Sequence, residues 1–152
     1  MKLEQAIKSS KFRNETHKAG LNILYTAWWL KTIMSRELKA CGITQEQYNV
    51  LRILKGKDPE EMCVKDIAGR MIEKSSNVPR IIDRLVAKKL VKRATDSHDK
   101  RHTVMSLTES GKKLLDHSTK SINQVLDEMI EMKETDAQQL NQLLEQVRKK
   151  EE

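Results

Sequence analysis

Between Val64 and Leu107 the hydrophobic period of the chain changes, and the change limits what the chain can become. Val64, Ile67, Ala68 and Met71 recur at i, i+3, i+4 and i+7, which predicts a short helix over about Val64 to Met71. Ile72-Glu73-Lys74 follows as a turn. A second helix is expected from a Ser75 or Ser76 cap to about Lys89, with Val78, Ile81, Ile82 and Leu85 as its buried face. Pro79 falls in its first turn, where a missing N–H costs little because those amides have no intrahelical partner. After this helix the period shortens. Leu90–Ala94 and His102–Leu107 read as two short strands around the polar stretch Thr95–Arg101, a β-hairpin with a charged tip. Helix, tight turn, helix and hairpin, in that order, is the layout of a winged helix-turn-helix. The expected fold class is mainly α with a small β-wing.

The flanks should supply the rest of the core. A long helix is predicted over 14–39 with two apolar stripes, one of Leu21, Leu24, Tyr25, Trp28 and Thr32, the other of Ile23, Ala27, Leu30, Met34 and Leu38. A helix apolar on two sides must be covered on two sides, so one stripe is left for a second subunit. Gly42 is a plausible C-cap. Thr44 and Gln47 form a capping-box pair opening a helix over about Gln45 to Lys55, and Gly56–Pro59 is a turn. Thr108–Gly111 opens the last helical region. Its seam of Leu115, Ser118, Ile122, Val125 and Met129 is widened by Leu126 and Ile130, and a final helix restarts at Thr135 or Asp136. The expected organisation is a single domain over 1–152: a winged helix-turn-helix lobe at 43–107, and dimerisation helices at 14–39 and 109–150.

Charge locates the partner. The net charge is +7 and the pI about 9.4. Met62 to Arg101 holds eleven basic and five acidic residues, so +6 of the +7 lies in this segment. A locally basic module between near-neutral helices fits double-stranded DNA better than a membrane surface. No stretch approaches the ~20 apolar residues of a membrane span, and the N-terminus has no signal-peptide core. A cytoplasmic protein with reduced Cys41 and Cys63 is expected.

An α-helix fits the major groove, and a thin hairpin can reach the adjoining minor groove or backbone. On the second helix of the pair, Ser76, Asn77, Arg80 and Arg84 lie roughly opposite the apolar face. Asn can pair with adenine and Arg with guanine in bidentate fashion, each worth about 1–3 kcal/mol of discrimination. Ser75 and Ser76 can donate to phosphate at the helix start, and Lys74 and Lys65 can neutralise phosphates. A merely solvated helix face would carry similar residues. The neighbouring short helix and basic hairpin favour recognition.

Residues 43–114 resemble the MarR (multiple-antibiotic-resistance regulator) family. Ile43–Leu51 resembles the family's second-helix segment. Arg80–Leu85 followed by Lys89–Arg93 resembles the recognition helix running into the wing. Asp99-x-Arg101, five residues, then Leu107-Thr108 and Gly111 is similar to the wing signature, and Asp96 also fits. The resemblance implies that Arg101 reaches the minor groove or backbone while Asp99 holds the wing in shape by pairing with basic residues. Asp also suits tight turns, and both roles can hold together. Arg93, His98 and Lys100 complete the expected wing surface. Three positions depart from the pattern: Lys89 replaces a usual Gly, so the helix end needs a strained or altered cap; Pro79 is unusual in a recognition helix; and Ser97 replaces a frequent Pro. The resemblance further implies a homodimer reading a near-palindromic operator, with repression released by a small aromatic or phenolic effector in a pocket including Tyr25, Trp28, Trp29 and Tyr48. Core or dimer packing is the plainer role for these aromatics.

His17, His98, His102 and His117 make no metal motif, and no metal or other cofactor is expected. No nucleophile–base set or phosphate-binding loop supports an enzyme. Cys41 and Cys63 could sense oxidation, as cysteines do in one branch of the family, although buried inert thiols are the simpler reading. Three functions therefore compete: a ligand-responsive repressor, a redox-driven DNA switch, and a helical interaction module with a degenerate winged helix.

Overall fold

A computed structural model describes residues 1–97 and 99–149. It divides into two compact units, Met1–Ile122 and Asn123–Glu152. The first unit opens with a four-residue helix α1 (Leu3–Ala6), which the sequence reading did not anticipate, and the long α2 (Glu15–Ala40). Asn14 caps α2 by accepting the His17 N–H at 2.8 Å. Next comes α3 (Gln45–Lys55), whose Thr44–Gln47 capping box is present with both bonds at 3.2 Å. The remaining lobe is β1 (Met62–Cys63), α4 (Val64–Arg70), α5 (Val78–Ala87), β2 (Val91–Thr95) and β3 (Thr103–Leu107).

The strands form one antiparallel sheet in the order β1-β3-β2, with Val91 opposite Leu107, Thr95 opposite Thr103 and Met62 opposite Met105. The wing is therefore three-stranded, not the two-stranded hairpin expected. Two residues are too few to show an alternating period, so β1 had no sequence signal.

The core of this unit is built from Leu38 of α2, Val50, Leu51 and Leu54 of α3, Ile67 of α4, Val78, Ile82 and Leu85 of α5, and Met105 of β3, each at most 2% exposed. Burying each such Leu or Ile side chain is worth about 1.5–3 kcal/mol. Ile33 is the other buried residue of α2, and neither expected stripe contained it. Most of the striped residues sit at least partly in solvent, with Leu24 69% and Trp28 58% exposed.

α2 ends in a Schellman cap. Gly42, at φ 73°, donates its N–H to the Lys39 carbonyl at 3.0 Å, and Ile43 donates to Leu38 at 3.1 Å. The Lys88 ammonium at the end of α5 reaches this corner, donating to the Gly42 carbonyl at 2.5 Å and to Gln47 Oε1 at 3.1 Å.

α6 (Glu109–Met129) buries Gly111, Leu115, Ser118 and Ile122. In the second unit, α7 (Glu134–Val147) begins one residue before the earlier of its expected starts. Its N-cap, Lys133, makes no side-chain capping bond. No residue of α7 is buried.

Candidate nucleic-acid interface

α5 carries the expected outer face, with a correction at its start. Asn77, not Ser75 or Ser76, is the N-cap, and its Oδ1 accepts the Arg80 N–H at 3.2 Å. Pro79 explains the choice. A cap reaches the second or third amide of the helix, and with Ser76 as cap the third would be Pro79, which has no N–H. Asn77 therefore meets any groove with its Oδ1 already accepting one bond. Ser75 Oγ donates to Glu73 Oε1 at 3.1 Å, and Ser76 Oγ is buried without a hydrogen-bond partner. The two serines thus do not form the exposed pair of phosphate donors expected of them.

Arg80 and Arg84 are exposed and make no intramolecular ion pair among the described residues, while Val78, Ile82 and Leu85 face inward. Lys65 is likewise exposed. Lys74 Nζ folds back to the Gly69 carbonyl at 2.8 Å. Arg93 pairs with Asp83 of α5, so it braces the wing against the helix instead of standing free. In the turn between α4 and α5, Glu73 binds Lys31 of α2 at 2.8 Å. The Asn49 side chain accepts the Ile72 N–H at 3.0 Å. Neither contact was legible in the sequence, because each joins residues far apart in the chain.

The wing tip is tied by its own aspartates. His102 donates its N–H to the Asp99 carbonyl, and Asp96 donates to the His102 carbonyl, both at 2.9 Å. Asp99 Oδ1 accepts the Arg101 N–H at 3.0 Å. The same carboxylate takes the Arg101 guanidinium in a two-point contact, Nε to Oδ1 at 3.0 Å and Nη2 to Oδ2 at 2.8 Å. That guanidinium, followed by the Arg101 backbone N–H, holds the Asp99 carboxyl down at about 2. The Arg101 side chain is nevertheless 87% exposed. Asp99 thus acts both as turn residue and as clamp, and the base it clamps is Arg101 itself. Lys100 is exposed; His98 lies outside the described residues.

The junction of α5 with the wing gives Thr108 and Gly111 a physical reason. Lys89 stands at φ 59°, closing a second Schellman cap in which Lys89 donates to Val86 at 2.9 Å and Leu90 to Leu85 at 3.0 Å. The strained cap expected from the missing Gly is present. Thr108 Oγ1 donates to the Lys89 carbonyl at 2.8 Å and accepts the Gly111 N–H at 2.9 Å, while the Thr108 N–H donates to the Leu90 carbonyl at 3.1 Å. A Cβ on Gly111 would stand 2.1 Å from that Leu90 oxygen. The Leu-Thr-x-x-Gly run is therefore the seam that fixes the end of α5 and the wing to the start of α6.

Residues 32–118, more than half of the chain, match the family described as transcriptional regulator SarA/Rot. The chain belongs to this family. Within the wider MarR group of winged-helix regulators, it is 28% identical over 109 residues to the HTH-type transcriptional regulator YdgJ of Bacillus subtilis (strain 168). That match covers 71% of this chain and 65% of YdgJ, just under two thirds of the relative's own length. A MarR transcription factor from Planctomyces limnophilus has the same fold, with TM-score 0.67 and 28% identity over 91% of this chain and 96% of that one. A mutant of S. aureus MepR, solved bound to an oligodeoxyribonucleotide, matches with TM-score 0.59 and 23% identity over 85% of this chain and 94% of that one.

The remaining expected site residues of this SarA/Rot family member are dispersed. Tyr25 and Trp28 form a tilted ring pair 5.4 Å apart on α2, and Trp29 is half-buried beside them in sequence. Tyr48 is buried in α3, with its hydroxyl 3.2 Å from Thr119 Oγ1 and Arg52 over its ring at 5.9 Å. A cleft of about 530 Å³ between α2 and α3 is lined by Lys31, Ser35, Lys39, Gly42, Ile43, Thr44, Gln45 and Glu46, and none of the four aromatics forms its wall. Both cysteines are half-buried, not sequestered as the inert-thiol reading expected. Cys41 caps the end of α2, and Cys63 precedes α4 and donates to Asp66 Oδ2 at 3.2 Å. Among the described residues, no group of three His, Cys, Asp or Glu side chains is placed to hold a metal, and no helix is long and apolar enough to cross a membrane.

Proposed function

We propose that this transcriptional regulator acts as a homodimeric, sequence-specific repressor that reads a near-palindromic operator in double-stranded DNA. One observation carries the reading: Arg80 and Arg84 stand exposed on the outer face of α5, with no ion pair among the described residues, and the inner face of that helix is locked into the core. Exposed cations on a helix the right width for the major groove can meet guanine edges and phosphates. Arg101, held out from the wing by Asp99, suits the adjoining minor groove, where a narrow, electronegative channel attracts Arg. Lys65 and Lys74 lie in the same basic segment and supply phosphate contacts, Lys74 on release from Gly69. A degenerate winged helix used only for protein contacts has no need of this free cationic face. MepR, similar in fold, has been solved on DNA.

The dimer rests on apolar residues that each of the two units leaves open on its own surface. Leu24 and Trp28 of α2 are mostly exposed, as are Leu143 and Val147 of α7 at 51% and 67%. Large apolar side chains grouped on helices mark an association surface. Two-fold pairing would set two α5 helices about one DNA turn apart. A small aromatic or phenolic effector stacking on Tyr25 and Trp28 would bias that spacing and release the operator. A cysteine-based switch is the second reading, supported by the half-buried position of Cys63 one residue before the first helix of the helix-turn-helix.

The test is selection from random duplex DNA at a stated salt concentration, run beside the triple variant Arg80→Ala, Arg84→Ala, Arg101→Ala. The wild type is expected to enrich a near-palindromic site and the variant to lose it. Equal, sequence-blind binding by both would remove α5 as the reader. Phenolic compounds that never change DNA affinity or melting temperature would remove the effector. Loss of binding on peroxide treatment, abolished by Cys63→Ser, would favour the redox switch.

A further inference from the structure

Lys88 is one of the eleven cations that make the 62–101 segment basic, and by sequence it looks like one more phosphate contact at the end of the recognition helix. Lys88 is exposed, yet its ammonium is turned back onto the protein instead of out to solvent. Nζ donates to the Gly42 carbonyl at 2.5 Å and to Gln47 Oε1 at 3.1 Å. Gln47 is 3% exposed, and its Oε1 also accepts the Thr44 N–H, so the acceptor is fixed by the capping box of α3. Gly42 is the left-handed residue that turns the chain from α2 into α3. A single cation at the C-cap of α5 therefore ties that helix end to the glycine corner just past α2 and to the first turn of α3. A charged donor with two acceptors on a rigid corner holds a stronger and more directional contact than a neutral pair.

We infer that Lys88 is a positioning residue for DNA recognition, setting the angle of α5 against the α2–α3 corner, and not a DNA contact. The inference rests on α5 being the reader. Since α2 carries part of the proposed dimer surface, this link joins the corner that follows the element setting half-site spacing to the element that reads the half-site. Lys92 and Lys100, also cations of the segment, have no such internal ties among the described residues.

The experiment compares wild type, Lys88→Met and Lys88→Arg on the selected operator and on versions with one base pair added or removed between half-sites, over a series of salt concentrations. Lys88→Met is expected to bind the operator about fivefold to tenfold more weakly, within the range typical of a coupling contact. It should discriminate less between spacings. The slope of log affinity against log salt should stay that of wild type, and Lys88→Arg should recover most of the loss. A phosphate contact would behave otherwise: the slope would fall by about 0.9 and all spacings would weaken alike. That result overturns the inference, as does unchanged binding by Lys88→Met. If Lys88→Met does not fold, Lys88→Gln takes its place in the same assay. Wild-type protein that selects no duplex refutes α5 as reader, an outcome distinct from a wild type that selects and a variant that matches it.

Discussion

Two corners of this protein make the same turn with different residues. At the end of α2 and at the end of α5 the chain closes a Schellman cap through one left-handed residue. The first is Gly42 at φ 73° and the second Lys89 at φ 59°. A residue with a Cβ costs about 1–2 kcal/mol in that conformation, a cost glycine does not carry. The surroundings show why the second corner tolerates it. Nothing lies within 4 Å of a Cβ built on Gly42, and its carbonyl is reached from outside by a flexible side chain, that of Lys88. At Lys89 the backbone is held from outside: Thr108 takes the Lys89 carbonyl through its hydroxyl and the Leu90 carbonyl through its N–H, and Gly111 presses on the same Leu90 oxygen. A strained conformation persists where neighbours over-determine it. The comparison teaches that the joint between α5 and the wing is set by packed backbone, which overrides a missing glycine, whereas the joint between α2 and α3 rests on the glycine's own freedom with a side-chain tie from Lys88 added to it.

Substitutions can break or sharpen this contrast. The largest effect is expected from Gly111→Ala, since the new methyl would sit 2.1 Å from a backbone oxygen that cannot move without opening the α5 cap. A loss of about 3 kcal/mol or more in denaturant unfolding is expected, the upper end of over-packing costs. A loss below 1 kcal/mol would mean that the seam is not tight. Gly42→Ala meets no atom and should cost about 1–2 kcal/mol from conformation alone. Lys89→Gly should go the other way and stabilise by about 1 kcal/mol or less, strain relief being partly offset by the freedom glycine gains when unfolded. Calorimetry that found Lys89→Gly destabilising would show that the lysine side chain contributes more than its backbone costs.

The smallest effect concerns the wing tip. Asp99 has its folded-state carboxyl lowered from 3.8 to about 2, first by the Arg101 side-chain bond. A depressed acid stabilises the fold at pH above its unfolded value and loses that contribution as pH falls through the folded one. Protection of the Arg101 amide, taken relative to its intrinsic exchange rate at each pH, should therefore fall between about pH 4 and about pH 2. Asp99→Asn should show fast exchange at every pH; an unchanged Arg101 amide in that variant would dissolve the clamp.

The helices of the lobe were legible because their apolar spacing and their caps agreed: Thr44 with Gln47, Gly42 at its corner, and Val78, Ile82 and Leu85 on the inner face of α5. The start of α5 was misread because Ser75 and Ser76 are good caps by type, and only the geometry around Pro79 passes the role to Asn77. The outer-face residues Arg80 and Arg84 could be placed from a 100° step per residue. The pairings of Arg93 with Asp83 and of Lys31 with Glu73 could not, since nothing local says which acid a long side chain will meet.

The sequence by itself determined the order of the lobe's helices and hairpin, the basic segment and the helix faces, because each of these follows from local periodicity or local charge; the special residue at 89 was visible only through the family resemblance. Tertiary structure decided which cations point to solvent and which are drawn to distant partners. Arg80, Arg84 and Arg101 reach solvent, whereas Arg93 braces the wing and Lys88 is taken up by the α2–α3 corner. A flexible cationic side chain goes to whichever acceptor the fold brings within reach, and that acceptor stands ten residues away for Arg93 and forty-six for Lys88.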